Sequence, residues 1–134
     1  MQPGFGEVCL RLACAMLVGI VIGLEREFTH RPAGLRTHIL VALGACAVMI
    51  TGQLIFYQYR PLGGTSDPAR LAAQVISGVG FLGAGTILRE GPTVKGLTTA
   101  AGLWTAAGVG LALGIGFYEG AIIGFITVLT VMTL

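Results

Sequence analysis

The chain has 134 residues, of which 54% are hydrophobic and only 10% are charged, and its formal net charge at pH 7 is +2. A soluble domain carries about 25% charged residues, so this composition excludes a water-exposed globular surface and indicates an integral membrane protein. The mild basic balance, without a dense basic cluster, excludes a nucleic-acid-binding protein.

Charged residues are confined to short segments between five apolar intervals. Stretches of about 17 to 25 apolar residues are long enough to cross a bilayer as helices. The sequence therefore predicts an all-α fold, a polytopic transmembrane bundle of about five Gly-rich, closely packed helices in a single domain over residues 1–134. The predicted spans are 8–24, 39–57, 71–88, 97–117 and 119–134.

The loop after the first span, within "GLEREFTHRPAGLRTH", is unusually dense in charge for this chain. Its side chains could anchor the helix ends by reaching outward to the lipid headgroups. Alternatively, they could form a docking surface or an ion vestibule. The candidate functional residues of this loop are Glu25, Arg26 and Arg36.

The third span begins with "SDPAR", which is typical of a helix start. Asp67 is a favoured N-cap residue and Pro68 fits the first helical position. Arg70, Gln74 and Ser77 then follow at one-turn spacing and predict a polar line descending into the membrane. Such a line serves either hydrogen bonds between helices or an ion path. In the turn "REGPTVKG" and the helix after it, Glu90 and Thr98 are further candidates.

The stretch "SGVGFLGAG" satisfies the G-x-G-x-x-G pattern of a dinucleotide-binding turn, but it lies within the third span. A backbone inside lipid must be helical to satisfy its own hydrogen bonds, so close helix packing is the favoured interpretation over nucleotide binding. A local unwinding that exposes carbonyls to an ion is the alternative. The glycines predicted to pack helices together are Gly19, Gly23, Gly78, Gly80, Gly83, Gly85, Gly108, Gly120 and Gly124.

The fifth span has fifteen residues after Glu119, counted to Leu134, and no polar flank closes it. This pattern favours a chain that is trimmed or incomplete. Five Lys and Arg residues lie on the side of the first and third loops and three on the opposite side, so the positive-inside rule predicts an amino terminus outside and a carboxyl terminus in the cytoplasm.

The span interiors contain no acidic residue, which removes the carboxylate ligands that Mg²⁺ prefers. The two histidines, His30 and His38, lie in one loop and accompany no nucleophile. The three cysteines lack C-x-x-C spacing, which argues against a disulfide framework or a zinc site. The sequence therefore predicts no catalytic residue, no metal and no cofactor.

Three segments resemble the hydrophobic domain of the MgtC/SapB family of bacterial membrane proteins: the first loop, "DPARLAAQVISGVGFLGAGTILREG" and "VKGLTTAAGLWTAAGVGLALGIG". The resemblance implies an inner-membrane protein of about five helices, often followed by a cytoplasmic domain that this chain lacks. By motif, Glu25, Arg36, Asp67, Arg70, Gln74 and Glu90 carry over to the family signature.

The resemblance also implies a role in adaptation to low Mg²⁺ and to life inside host macrophages. MgtC-type members are thought to restrain the F-type ATP synthase, and so the membrane potential, rather than to carry Mg²⁺. Thr98 and Thr105 stand where some virulence-type members have Asn and Cys, so a general family role is expected. The first hypothesis is a non-enzymatic regulator that forms a homo-oligomer; the alternatives are a small ion channel or transporter, or a structural assembly factor.

Overall fold

The computed structural model describes residues 2–64 and 67–134, with the side chains of 88–90 outside the description. Within these ranges the chain is an all-α bundle, as predicted, with one small hairpin between two of the helices. The elements are α1 (Phe5–Phe28), α2 (Leu35–Tyr59) with a 3₁₀ turn at Arg60–Leu62, α3 (Arg70–Ala84), β1 (Leu88–Glu90), β2 (Thr93–Lys95), α4 (Leu97–Gly114) and α5 (Tyr118–Met132).

Three of the helices are long and apolar enough to cross a membrane, judged by length and composition: Phe5–Phe28, Leu35–Leu62 and Leu97–Gly114. The other two, α3 and α5, are apolar but have 15 residues each. At 1.5 Å per residue such a helix is about 22 Å long, against about 30 Å for the hydrocarbon core of a bilayer. The bundle therefore combines three long helices with two short ones.

α4 ends at Gly114, before the end of its charge-free interval, because a helix C-cap follows. Gly116 adopts a left-handed φ of 84°. The Phe117 N–H donates to the Ala112 carbonyl at 2.9 Å, and the Gly116 N–H donates to the Leu113 carbonyl at 3.0 Å. This pair of hydrogen bonds is the Schellman motif, which satisfies the last carbonyls of a helix and reverses the chain.

α3 likewise ends earlier than its charge-free interval, and a hairpin follows it. The Thr86 hydroxyl donates to the Gly83 carbonyl at 2.7 Å and so satisfies one of the last carbonyls of the helix. The segment predicted as a short turn forms two antiparallel strands, with Glu90 opposite Thr93. Gly91 takes a left-handed φ of 61° at the hairpin tip, a conformation that glycine adopts without steric cost.

α4 lies directly on α2 through two glycines. A Cβ atom at Gly110 would lie 2.5 Å from the Ala42 carbonyl oxygen, and one at Gly114 would lie 2.6 Å from the Cys46 carbonyl oxygen. Neither glycine was among the predicted packing positions, although both belong to the glycine-rich fourth span. Because backbone atoms cannot move aside as a flexible side chain can, these two contacts fix the separation of the helices.

α1 packs on α2 at two of the predicted glycines. A Cβ atom at Gly19 would lie 2.6 Å from Ile39 Cα, and one at Gly23 would lie 2.7 Å from Leu35 Cα. Two other predicted glycines also lie beside a neighbouring helix, since Gly83 faces Ala100 of α4 and Gly124 faces Val109. Close packing therefore joins α1, α2 and α4, with α3 and α5 at the periphery.

The remaining predicted packing glycines lie elsewhere in the structure. A Cβ atom at Gly78, Gly80 or Gly108 would meet nothing within 4 Å, so none of these residues packs closely on another helix of the chain. Gly85 lies beside only the Leu82 carbonyl of its own helix, and Gly120 lies beside the Phe117 ring. The "SGVGFLGAG" stretch is helical up to Ala84, as predicted, but most of its glycines do not serve packing within one chain.

The contribution to stability of Gly110, which contacts α2, can be compared directly with that of Gly108, which has open space beside it. We expect Gly110→Ala to lower the free energy of unfolding by about 1–3 kcal/mol, because the added methyl group would overlap the α2 backbone. Gly108→Ala, two residues away on the open face, is expected to be neutral or to stabilise by about 0.5–1 kcal/mol. Thermal unfolding of both variants in detergent tests this; equal effects of the two substitutions would contradict the packing.

Candidate functional site

Arg11 lies in the interior of the bundle, with an exposed fraction of 7%. Its Nη1 atom donates to Gln53 Oε1 of α2 at 2.7 Å and to the Gly114 carbonyl of α4 at 2.8 Å. The carbonyl at the end of α4 carries a partial negative charge from the helix dipole, so it is a suitable acceptor for a cation. A single guanidinium therefore links three helices.

Two further side chains complete this cluster. Glu7, one turn before Arg11, accepts a hydrogen bond from Arg11 Nε at 3.0 Å, and the Tyr118 hydroxyl of α5 donates to the same carboxylate oxygen at 2.5 Å. Gly116 lies beside the guanidinium, since a Cβ atom there would lie 2.8 Å from Arg11 Nη2, and its left-handed φ of 84° favours glycine at this position. We call Glu7, Arg11, Gln53 and Tyr118 the amino-terminal polar cluster.

A second group of polar side chains lies at the other end of the same helices. Arg26 has an exposed fraction of 1%, and its Nε donates to Glu25 at 2.9 Å. His38 has an exposed fraction of 0%, and its Nδ1 lies 2.8 Å from the Gly34 carbonyl oxygen. Since that oxygen can only accept, Nδ1 carries the hydrogen. We call Glu25, Arg26 and His38 the loop-end polar cluster.

The loop-end polar cluster is incompletely satisfied. Arg26 Nη1 and His38 Nε2 are buried and make no hydrogen bond to any residue of the described ranges. A buried polar atom without a partner costs about 1–3 kcal/mol. The idea that Arg26 reaches outward to the headgroups does not hold for this side chain, because its guanidinium lies between the helices.

The layer between the two clusters is apolar. Its buried side chains come from α1, α2 and α4, together with one residue of α5. They include Ala15, Val18, Ile22, Cys46, Ile50, Ala106, Val109, Leu113 and Ala121. The polar groups of the interior are thus confined to its two ends.

The predicted polar line of α3 does not enter the bundle. Arg70, Gln74 and Ser77 are all exposed, on the side of α3 that faces away from α2 and α4. Asp67 accepts a hydrogen bond from the Ala69 N–H at 2.9 Å, which forms an Asx-type turn just before α3. The N-cap of α3 is Ala69 and not the predicted Asp67. These residues therefore lie apart from both polar clusters.

The other candidate residues lie around the loop-end face of the bundle. Arg36 is exposed and lines a groove together with Glu27. Thr98 is exposed at the beginning of α4, in a cavity that Arg31 and Lys95 also line. The backbone of Glu90 lies in β1, and its side chain is outside the described structure.

Sequence reasoning passed over the residues that form the buried contacts. The spacing of Glu7 and Arg11, four residues apart, was a signal for an ion pair on one helix face. Gln53 and His38 were visible as polar residues in or beside an apolar span. Their partners could not be identified, because Gln53 and Gly114 lie 42 and 103 residues from Arg11 along the chain.

Both clusters can stabilise the bundle inside a membrane through hydrogen bonds and ion pairs. No group of three or more His, Cys, Asp or Glu side chains that could hold a metal ion occurs among the described residues. The fold and its two polar clusters define a membrane protein built as a helical bundle with an apolar middle layer.

Comparison with known proteins gives the family. The MgtC family model matches residues 12–134. Protein MgtC of Brucella abortus (strain 2308) is 51% identical over 88 residues, which are 66% of this chain and 34% of that protein. Protein MgtC of Salmonella typhimurium (strain LT2) is 47% identical over 90 residues, 67% of this chain and 36% of that protein. An uncharacterised Synechocystis protein is 45% identical over 95 residues, 71% of this chain and 38% of that protein.

The chain belongs to the MgtC family of membrane proteins, whose name links them to magnesium. The match spans about a third of the length of these curated relatives. No solved structure matches the chain at a significant level.

The amino-terminal polar cluster makes a quantitative prediction about coupling between helices. We expect Arg11→Met to lower the free energy of unfolding by about 2–4 kcal/mol and Gln53→Leu by about 1–3 kcal/mol, because each leaves a buried partner unsatisfied. The double variant should be more stable than the sum of these losses by about 1 kcal/mol or more. Denaturant unfolding of the purified protein in mixed micelles measures all three values.

Arg70→Met is the matched control, since it removes the same charge from an exposed position and should change stability by less than about 0.5 kcal/mol. Strictly additive losses for Arg11→Met and Gln53→Leu would show that the two side chains do not interact.

Proposed function

We propose that this chain is a non-enzymatic membrane regulator of MgtC type, active in adaptation to low Mg²⁺. It acts by contacting a membrane partner, such as the F-type ATP synthase, and thereby influencing the membrane potential. Family membership supports the link to magnesium. The partner and its regulation are proposed on the basis of the family resemblance and of the charged surface at the loop end of the bundle.

The apolar layer between the two polar clusters favours a regulator over an ion conductor. The apolar layer between the two polar clusters contains closely packed Ile22, Cys46 and Ala106, each with an exposed fraction of 0%. An ion path needs oxygen ligands or water along its length, because a bare ion in an apolar interior has a very high free energy. In a single chain, this layer therefore favours a sealed bundle.

The loop-end face provides a surface for a partner. The exposed charged residues at this end are Glu27 in the last turn of α1, Arg31 in the first loop and Arg36 at the beginning of α2, and the β1–β2 hairpin lies at the same end of the bundle. The excess of Lys and Arg at this end supports its placement in the cytoplasm, with the amino terminus outside. A charged, exposed face of this kind favours electrostatic recognition of a protein partner.

A second copy of the chain is the proposed partner of the exposed face of α3. Gln74 and Ser77 carry both donors and acceptors, so the same face of two chains can satisfy its own hydrogen bonds across a two-fold axis. Gly78 and Gly80 leave open space beside Phe81, whose exposed fraction is 81%. Small residues beside a large one allow two helices to interlock closely in lipid.

A channel or transporter is the second candidate function, and the same face supports it. Arg70, Gln74 and Ser77 are exposed in one chain, but they would line an interior if several chains met along α3. Carbonyls, amides and hydroxyls at such an interface are ligands that a cation accepts. This candidate depends on an oligomer, whereas the regulator depends on the loop-end face.

Partner capture from native membranes tests the regulatory role. We expect the tagged full-length protein to co-purify a reproducible membrane partner, and Arg36→Ala to reduce the recovery several-fold, because an exposed cation is removed from the proposed contact face. Arg60→Ala, an exposed arginine at the opposite end of α2, serves as the control and should leave recovery unchanged. Quantitative mass spectrometry of the captured proteins gives the ratio.

Reconstitution of the same protein into liposomes separates the two candidates. Dyes for Mg²⁺, pH and membrane potential should report no protein-dependent flux if the chain is a regulator. A flux that Gln74→Leu abolishes, with no partner captured from membranes, would instead establish a channel.

Self-association along α3 is tested with a pair of matched substitutions. We expect Ser77→Leu to weaken dimerisation in detergent by roughly 5- to 30-fold, because it removes a hydroxyl and fills the space that a second helix would occupy. Thr130→Leu makes a comparable change on the exposed side of α5 and should leave dimerisation unchanged. Light scattering during size-exclusion chromatography measures the molar mass, and equal behaviour of both variants would remove α3 as the interface.

A further inference from the structure

Arg26 and His38 of the loop-end polar cluster lie on neighbouring helices that face each other. The two glycine contacts between α1 and α2 run in opposite directions along the two helices, so α1 and α2 are antiparallel. Arg26 follows Gly23 by three residues in α1, and His38 follows Leu35 by three residues in α2. Residues three apart share one face of a helix, so both side chains belong to the α1–α2 interface.

The direction of side chains in a helix brings these two side chains toward each other. Each Cα–Cβ bond in an α-helix is tilted toward the amino end of that helix. In α1 this direction leads from the loop end into the bundle, whereas in α2 it leads from the interior toward the loop. The His38 ring follows it, since its Nδ1 lies 2.8 Å from the Gly34 carbonyl oxygen at the start of α2. The charges of Arg26 and Glu25 both act on the His38 imidazole, so the three groups lie close together.

One nitrogen of each side chain has a hydrogen-bonding capacity that complements the other. Arg26 Nη1 carries hydrogens and no lone pair, so it can only donate. His38 Nδ1 carries the imidazole hydrogen, so Nε2 of the neutral ring presents a lone pair and can only accept. Both atoms are buried, and neither makes a hydrogen bond to a residue of the described ranges. A donor and an acceptor are thus left unmatched in one part of the interior.

The chemistry of these two atoms restricts what can bind between them. The buried guanidinium of Arg26 repels a cation. An anion accepts a hydrogen bond from Arg26 Nη1 but has no hydrogen to donate to His38 Nε2. A neutral hydroxyl group satisfies both, because its oxygen accepts and its hydrogen is donated. Since the exposed fractions of Arg26 and His38 are 1% and 0%, the site is enclosed and suits the smallest molecule of this kind.

From these observations we infer that the loop-end polar cluster binds one internal water molecule between α1 and α2. The water accepts a hydrogen bond from Arg26 Nη1 and donates one to His38 Nε2. The Glu25 carboxylate accepts from Arg26 Nε at 2.9 Å, so it lies beside the same guanidinium and is an acceptor for the second hydrogen of the water. Internal waters make about three hydrogen bonds to buried polar groups, the number that these side chains provide.

A groove at the loop end gives water access to this site. The groove has a volume of about 530 Å³, and Gly34 and Leu35 are among the residues that line it. Gly34 also carries the carbonyl that holds His38 Nδ1, so solvent reaches a residue in direct contact with the cluster. The bound water ties the end of α1 to the beginning of α2. Its binding needs no partner protein, so a failure here leaves the proposed regulatory function intact.

Nuclear magnetic resonance of the full chain in lipid nanodiscs, with isotope-labelled histidine, tests the site at about pH 8, where an imidazole is ordinarily neutral. The chain has two histidines, and His30→Asn assigns their rings, because asparagine tolerates the left-handed φ of 54° at that exposed position. We expect the His38 ring to show an unprotonated, hydrogen-bonded Nε2 that receives magnetisation from a long-lived water. The exposed His30 ring should receive it only from rapidly exchanging solvent.

A pair of arginine substitutions separates the bridging water from other buried solvent. Arg26→Met should reduce the magnetisation transfer to His38 by about tenfold, the loss of one charge-assisted hydrogen bond to the water. Arg31→Met removes an exposed arginine from the first loop and should leave the transfer unchanged.

Three results would overturn the inference: a His38 Nε2 that carries a hydrogen, a direct hydrogen bond between that atom and Arg26, or a transfer that Arg26→Met does not change. The first two are measured on the unaltered protein, so they decide the question even if Arg26→Met does not fold.

Discussion

The structure depends on the direct contact between the backbones of α2 and α4 at Gly110 and Gly114. In lipid, apolar surface drives helices together only weakly, so close backbone approach and hydrogen bonds must hold a bundle. Gly114 serves both purposes, because its Cα lies close to the Cys46 carbonyl of α2 while its own carbonyl accepts a hydrogen bond from the Arg11 guanidinium. A wider spacing between α2 and α4 would separate the Gln53 side chain from the Gly114 carbonyl, the two acceptors that one Arg11 nitrogen contacts.

The same contact determines what the surfaces of the bundle can do. With α1, α2 and α4 packed together, the buried polar side chains of the described residues lie at the two ends of the interior, and the apolar layer separates them. The beginning of α4 is held beside the first loop, where a cationic cavity opens. The peripheral α3 keeps a polar face that its own chain does not cover. Regulation and self-association would thus use different surfaces of one core.

The sequence predicted the number of helices well, for a simple physical reason. Charged residues are costly inside a bilayer, so charge-free intervals mark helices reliably. The choice of packing faces was less predictable. Gly80 and Ala84 have the same four-residue spacing of small residues as Gly110 and Gly114, yet Gly80 contacts no other helix. A pattern identifies a face that can pack, whereas the arrangement of the other helices decides whether it does.

Among the polar residues too, contacts between sequence neighbours were predictable, whereas contacts between distant residues were not. A local hydrogen bond at Asp67 was predictable because it involves neighbours in sequence, and Asp67 accepts one from the Ala69 N–H, although α3 begins later than the predicted cap. Arg11 and Gln53 meet only through the folded bundle, and the burial of Arg26 follows from the way α1 lies on α2. The brevity of α3 has a mechanical consequence. A bilayer thicker than this helix must thin around it, and this hydrophobic mismatch stores elastic energy in the lipid. Two chains that share an α3 boundary would share one deformed annulus, so membrane elasticity itself would draw them together.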